Sequence, residues 1–149
     1  MARDQLALLI KLESEKEEKL RLDFLQAQQH LAKLEQQRIG IENFRAEYLG
    51  QLQQRATQGV GGTYYIQFQQ FISKLDDALK QQINSINTAQ QVVKQRESLW
   101  LSQKAKVEAI EKLQQRKREK VMAAQLKAEQ KQLDEFATNI FVRQRKSMA

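Results

Sequence analysis

From Tyr65 to Ala128 one pattern repeats for about nine heptads: Tyr65, Phe68, Ile72, Leu75, Leu79, Gln82, Ile86, Ala89, Val93, Arg96, Trp100, Gln103, Val107, Ile110, Gln114, Lys117, Val121, Ala124 and Ala128 follow one another at spacings of three and four. The chain contains no proline, so nothing in this run deletes a backbone donor or forces the helix to stop. The pattern predicts a single helix over 64–141, on the order of 100 Å long at about 1.5 Å per residue. Arg96, Gln103, Gln114 and Lys117 interrupt the seam with polar groups, which lower stability and fix register.

A second seam precedes it. Leu6, Ile10, Leu20, Phe24, Ala27, Leu31, Leu34, Ile41, Tyr48 and Leu52 share the same alternation and predict a helix over 4–57. Glu13, Glu17, Arg38 and Arg45 occupy positions of this seam, while Phe44 and Leu49 sit beside it, so its apolar face is expected to broaden or to shift register there. Gly40 and Gly50 each cost such a helix about 1 kcal/mol relative to alanine and mark either bends or places where another backbone comes close.

Residues 58–63, from Gln58 through Gly59, Val60, Gly61 and Gly62 to Thr63, form the one cluster of breakers. Glycine there supplies a left-handed C-cap, and Thr63 is the expected N-cap of the next helix. No apolar strand precedes the cluster and no lysine follows at the phosphate-loop position, so a nucleotide cradle is not indicated. One turn means two helices. The fold class is all-α, with two long antiparallel helices forming a coiled-coil hairpin over 1–149, the second longer than the first and ending in a basic tail over 142–149. Counting back from the bend brings Tyr48 close to Ile72 and Leu6 opposite Lys112 to Arg116. Residues beyond about Lys117 then project past the N-terminus and should be the least stable.

Such a hairpin buries a seam and no enclosed core, which argues against catalysis because convergent groups in a dry pocket are missing. There is no cysteine, so disulfides and thiolate metal sites are excluded, and His30 is the one imidazole. Neither a catalytic group, a metal site, a cofactor nor a small-molecule substrate is expected. Leu6 to Leu12 is a short apolar run broken by Lys11, and no stretch approaches the roughly 20 apolar residues that span a bilayer; the expectation is a soluble cytoplasmic protein.

The net charge of +7 is concentrated in the last third of the chain. The run Arg116-Lys117-Arg118-Glu119-Lys120 and the tail Arg143-Gln144-Arg145-Lys146 could contact phosphates or an acidic protein surface. Interspersed acids, and the lack of a parallel zipper behind a basic region, favour a solvated or protein-binding face over nucleic acid. At the opening of the second helix, Phe68, Phe71, Ile72, Leu75, Ala78 and Leu79 make two adjacent stripes where a seam needs one. Spacing alone leaves two readings open: Phe71 and Ala78 form a strip for a partner, or Phe71 tucks against Phe44 and Leu49 and widens the core.

The segment Gln67-Phe68-Gln69-Gln70-Phe71-Ile72 followed by Leu75, then Trp100, then Lys131-Gln132-Leu133-Asp134-Glu135-Phe136-Ala137 resembles the FliJ family of the flagellar type III export apparatus. The resemblance extends over nearly the whole chain, including its length, the position of the bend and the basic balance. It implies a stalk-like coiled coil that couples the hexameric export ATPase to the export gate, with the joined helical ends, here Arg116, Lys117, Arg118 and Lys120, entering the ATPase pore. It further implies docking on the cytoplasmic domain of the gate protein FlhA through positions that match Phe71, Leu75, Ala78 and Gln82, and binding of export chaperones. Localisation would be cytoplasmic and peripheral at the inner-membrane flagellar export apparatus, with a role in motility and chemotaxis. Two other classes stand beside it: a scaffold coiled coil that spaces two partners, which would be a stable homodimer, and a basic helical nucleic-acid binder, which would show steep salt dependence.

Overall fold

The computed structural model describes residues 2–59 and 61–148. Met1, Val60 and Ala149 lie outside the described residues, and with them the middle of the expected bend and the last residue of the expected tail. The described chain is two α-helices packed against each other, α1 (Ala2–Thr57) and α2 (Gly62–Met148), with no strand among the described residues. As the seam lengths require, α2 is the longer.

Residues 15–104 form one compact unit. Here α1 and α2 run antiparallel, and their contacts recede from the bend in order along both helices: Tyr48 with Phe68, Arg45 with Asp76, Leu34 with Gln82, Phe24 with Trp100. Phe24, Phe68, Ile86 and Ala89 are buried. The remaining seam positions of α2 from Ile72 to Gln103 are half-buried, as are Glu17, Arg38 and Arg45 on α1. A two-helix seam covers each side chain from one side only, which is why few residues are fully enclosed. Phe68, at 2% exposed, is the best covered; burying it stabilises the hairpin by about 2–3 kcal/mol. The Trp100 ring stacks on Phe24 with centroids 5.6 Å apart, and Lys104 Nζ lies 5.5 Å from the Trp100 centroid.

The second unit comprises residues 1–14 and 105–149. Within it Val107 is buried, Ile110 and Gln114 are half-buried, and Glu13, at 5% exposed, meets Lys106 Nζ at 3.4 Å. Every described residue from Gln115 to Met148 is exposed.

Four details differ from the sequence expectation. Thr63 lies inside α2, and the helix is opened by the Gly61 carbonyl, which accepts from Tyr65 N at 3.3 Å; glycine is an acceptable N-cap, and Thr63, already within the first turn, is past the capping position. Tyr65 is 50% exposed and the half-buried tyrosine is Tyr64, because positions three and four residues before Phe68 both satisfy the alternation and Tyr64 is the one that meets Phe68, at 6.1 Å. Helix α2 continues past 141 through the basic segment to Met148, where no breaker intervenes and Arg145 and Lys146 complement the negative end of the helix dipole. Finally, α1 is uninterrupted at Gly40 and Gly50, and a Cβ built at either meets nothing within 4 Å, so neither glycine serves a close approach within the chain. The expected left-handed C-cap is present at Gly59, with φ +82°.

Candidate functional site

Phe71, Leu75, Ala78 and Gln82 follow each other at spacings of four, three and four, so they share one face of α2, and all four are half-buried. Phe71 is held between two rings of α1. Its centroid is 6.1 Å from Phe44, edge to face at 71°, and 4.6 Å from Tyr48 at 51°. Phe44 in turn lies 6.1 Å from Tyr48. This is an aromatic cluster of three rings on the flank of the seam, continued inward by Phe68 beneath Tyr48. Both sequence readings of Phe71 meet here: it packs on Phe44, and yet the cluster is open to solvent, with Phe44 49% exposed.

Beside the cluster runs an open groove of about 490 Å³ lined by Gln37, Gly40, Ile41 and Phe44 of α1 and by Leu75 and Gln82 of α2. Gly40 contributes no side chain, and that keeps the groove from being filled. Leu75 and Gln82 are thereby joined to a surface that spans both helices. Gln82 also has a structural task, since its Nε2 donates to the Leu34 carbonyl at 2.8 Å and to Gln37 Oε1 at 3.2 Å; a seam glutamine satisfied across the pair fixes register. Nearby, Arg45 Nε donates to Asp76 Oδ1 at 2.6 Å. Both side chains are over a third exposed, so the pair contributes at most about 1 kcal/mol. The α1 half of this groove escapes a reading of the sequence: Phe44 is visible there as a residue beside the seam, but Gly40 and Gln37 carry no apolar signal.

Arg116, Lys117, Arg118 and Lys120 are all exposed, and none makes an ion pair with a described residue. At about 100° per residue, Arg116 and Lys120 share one face while Lys117 and Arg118 turn away from it. The four form a girdle of charge around the helix and do not converge on a single patch.

His30 is exposed in a second shallow groove with Ala27, Leu34, Asn84, Ser85, Thr88, Ala89 and Val92. Among the described residues there is no group of three or more His, Cys, Asp or Glu able to hold a metal, and no helix is long and apolar enough to cross a membrane.

Comparison with known proteins covers nearly the whole chain. A family model described as Flagellar FliJ protein matches residues 1–146. The Flagellar FliJ protein of Escherichia coli (strain K12) is 28% identical to this chain over 109 residues, which cover 73% of this chain and 74% of the relative. That of Salmonella typhi aligns over 109 residues at the same identity and coverage. No solved structure matches the chain. The match to the family model from residue 1 to residue 146 shows that this chain belongs to the flagellar FliJ protein family.

Proposed function

We propose that this component of flagellar protein export is a non-enzymatic coupling subunit, docking on the cytoplasmic domain of the export gate FlhA through the face of Phe71, Leu75, Ala78 and Gln82, and engaging the export ATPase hexamer through the basic segment of Arg116, Lys117, Arg118 and Lys120. Assistance to export chaperones belongs to the same reading, as does a cytoplasmic position peripheral to the inner-membrane apparatus. Family membership supports the setting. The observation that supports the gate-docking assignment most directly is the half-open aromatic cluster with its adjoining groove, an apolar surface with aromatic anchors of the kind that dominates binding energy at interfaces. Gln82, committed to Leu34 and Gln37, would contribute chiefly by holding the groove's shape. The exposed basic girdle supports the second contact, because unpaired cations favour an acidic or carbonyl-lined partner within roughly 10 Å at 0.1 M salt.

The test is binding of the wild type, Phe71→Asp and Phe44→Asp to the gate's cytoplasmic domain, with circular dichroism on each. A loss of binding of about tenfold or more at unchanged helicity is expected for both, the size of effect that a truncated interface anchor produces. Wild-type failure to bind would remove the gate from this reading, and equal binding by all three would move the docking face elsewhere.

A further inference from the structure

The seam alternation, carried past Gln114, runs through Lys117, Val121, Ala124 and Ala128, a row of small or charged residues. Most of the large apolar side chains of this segment lie one or two positions off that row. Met122, Leu126, Leu133, Phe136 and Ile140 form a separate stripe at spacings of four and three, with Glu129 filling its one gap; Glu119 precedes it and Arg143 follows it in the same alternation. Going from Gln114 through Arg118 to Met122 takes two successive fours, which displaces the stripe from the hairpin seam. All five apolar residues are exposed, Phe136 to 65%.

We propose that this stripe is a self-association surface, on which the same segment of a second copy lies antiparallel about a two-fold axis at residue 131. The order of residues carries the proposal. In that register Met122 faces Ile140 of the other copy, Leu126 faces Phe136, Glu129 faces Leu133, and Glu119 faces Arg143. Each pairing occurs twice by symmetry, so the arrangement closes on itself as a dimer. The charges at the two ends are thus complementary. A parallel arrangement would instead place Glu119, Glu129 and Arg143 each against its own copy, three like-charge layers that oppose it.

The flanks agree. Between Met122 and Ile140 the positions bordering the stripe are Ala123, Gln125, Gln130, Gln132, Ala137 and Asn139, none of them charged; past the ends Arg118 lies opposite Lys146 of the other copy in the same register, a like-charge pair that weakens the contact. Lys120, Lys127 and Lys131 lie on the far side of the helix. That placement also disfavours a lipid surface, for which cations would border the apolar face and reach the headgroups. Five anchors per chain cover less than the roughly 1,200 Å² at the lower end of standard interfaces. The dimer is therefore a weak one, formed at high concentration, and differs from the stable homodimer of a scaffold coiled coil. It goes beyond the coupling function and does not depend on it.

The absence of native cysteine makes the register directly readable. Gln132 adjoins the two-fold axis, so Gln132→Cys should crosslink to itself on mild oxidation, at chain concentrations on the order of 100 µM, within the range where weak complexes populate. Gln125→Cys should not crosslink to itself but should do so when mixed with Asn139→Cys. Sedimentation equilibrium should show the wild type as a reversible dimer, Leu133→Asp as a monomer, Glu119→Arg and Arg143→Glu each weakened, and the Glu119→Arg/Arg143→Glu double variant restored. The far end of an exposed helix is not needed for the hairpin to fold, so the circular dichroism melting midpoint of the full chain, taken at concentrations where all are monomeric, should be unchanged in all of them. A wild type that stays monomeric, self-crosslinking at 125, or a double variant no better than its parents overturns the proposal. Shielding of a cysteine at 132 from alkylation only when the export ATPase is added would give the stripe to that partner instead, and equally overturns it.

Discussion

Tyr48 of α1 lies flat on Phe68 of α2, the ring centroids 4.0 Å apart and the planes within 16°. This stack is the first full packing layer after the bend. It also ties the seam to the docking face, because the same Tyr48 ring supports Phe71 on its flank.

Removing Phe68 should therefore cost more than removing Phe71. Phe68→Ala is expected to destabilise the hairpin by about 3 kcal/mol or more, a nearly fully buried aromatic lost from a thin core. Phe71→Ala should cost about half that, since its ring is only partly covered. A Tyr48/Phe68 double-mutant cycle in chemical denaturation should return a coupling on the order of 1 kcal/mol; additivity of the two would show that the stack carries no energy of its own.

Glu13 is a carboxylate in a seam position, 5% exposed, with Lys106 at 3.4 Å. Desolvating a carboxylate is costly, and an apolar side chain of similar volume fits a seam position, so Glu13→Leu should be neutral or stabilising by about 1 kcal/mol. Thermal melting decides it, and a lower midpoint for Glu13→Leu would mean that the carboxylate stabilises the layer it occupies.

The glycines separate by backbone conformation. Gly50→Ala should stabilise α1 by about 1 kcal/mol, since a Cβ there meets nothing. Gly59→Ala, at φ +82°, should destabilise by about the same amount, because a side chain strains a left-handed cap. Gly40→Ala should stabilise like Gly50→Ala but weaken any ligand of the groove it lines. Melting curves of the three variants test the signs.

Arg21 Nε and Nη2 donate to the two oxygens of Glu18, at 3.0 and 2.6 Å, and these hydrogen bonds, aided by the guanidinium charge, hold the Glu18 carboxyl below its ordinary value. A depressed folded value means that the pair contributes only while Glu18 is ionised: the contribution is present above the usual glutamate range and is lost as pH falls through the folded value. In an NMR titration Arg21→Gln should raise the Glu18 midpoint toward the ordinary one. Identical midpoints in the two proteins would rule the bidentate contact out.

Much of the molecule is legible in its amino-acid order. Three-four alternation, the absence of proline and one glycine cluster dictate two helices, and every α2 seam position from Phe68 to Gln114 is indeed buried or half-buried. The polar seam positions Glu13, Glu17, Arg38 and Arg45 are legible for the same reason: periodicity records which face a residue occupies whatever its polarity. The site is legible in part. Phe71, Leu75 and Ala78 stand out as a second stripe on α2 and Phe44 as an apolar residue beside the α1 seam, but nothing local announces that Gly40 and Gln37 complete the groove from α1.

Helix, bend and seam follow from residue order alone, because they depend on propensity and spacing within a few turns of one chain. Packing between the helices settled what depends on which neighbour is present. It chose Tyr64 over Tyr65 as the ring against Phe68, committed Gln82 to the Leu34 carbonyl, and left Phe71 half open between Phe44 and Tyr48. Two residues one apart on a helix fit the same alternation equally well, and only the helix packed against them distinguishes the side chain that is covered from the one that stays in water.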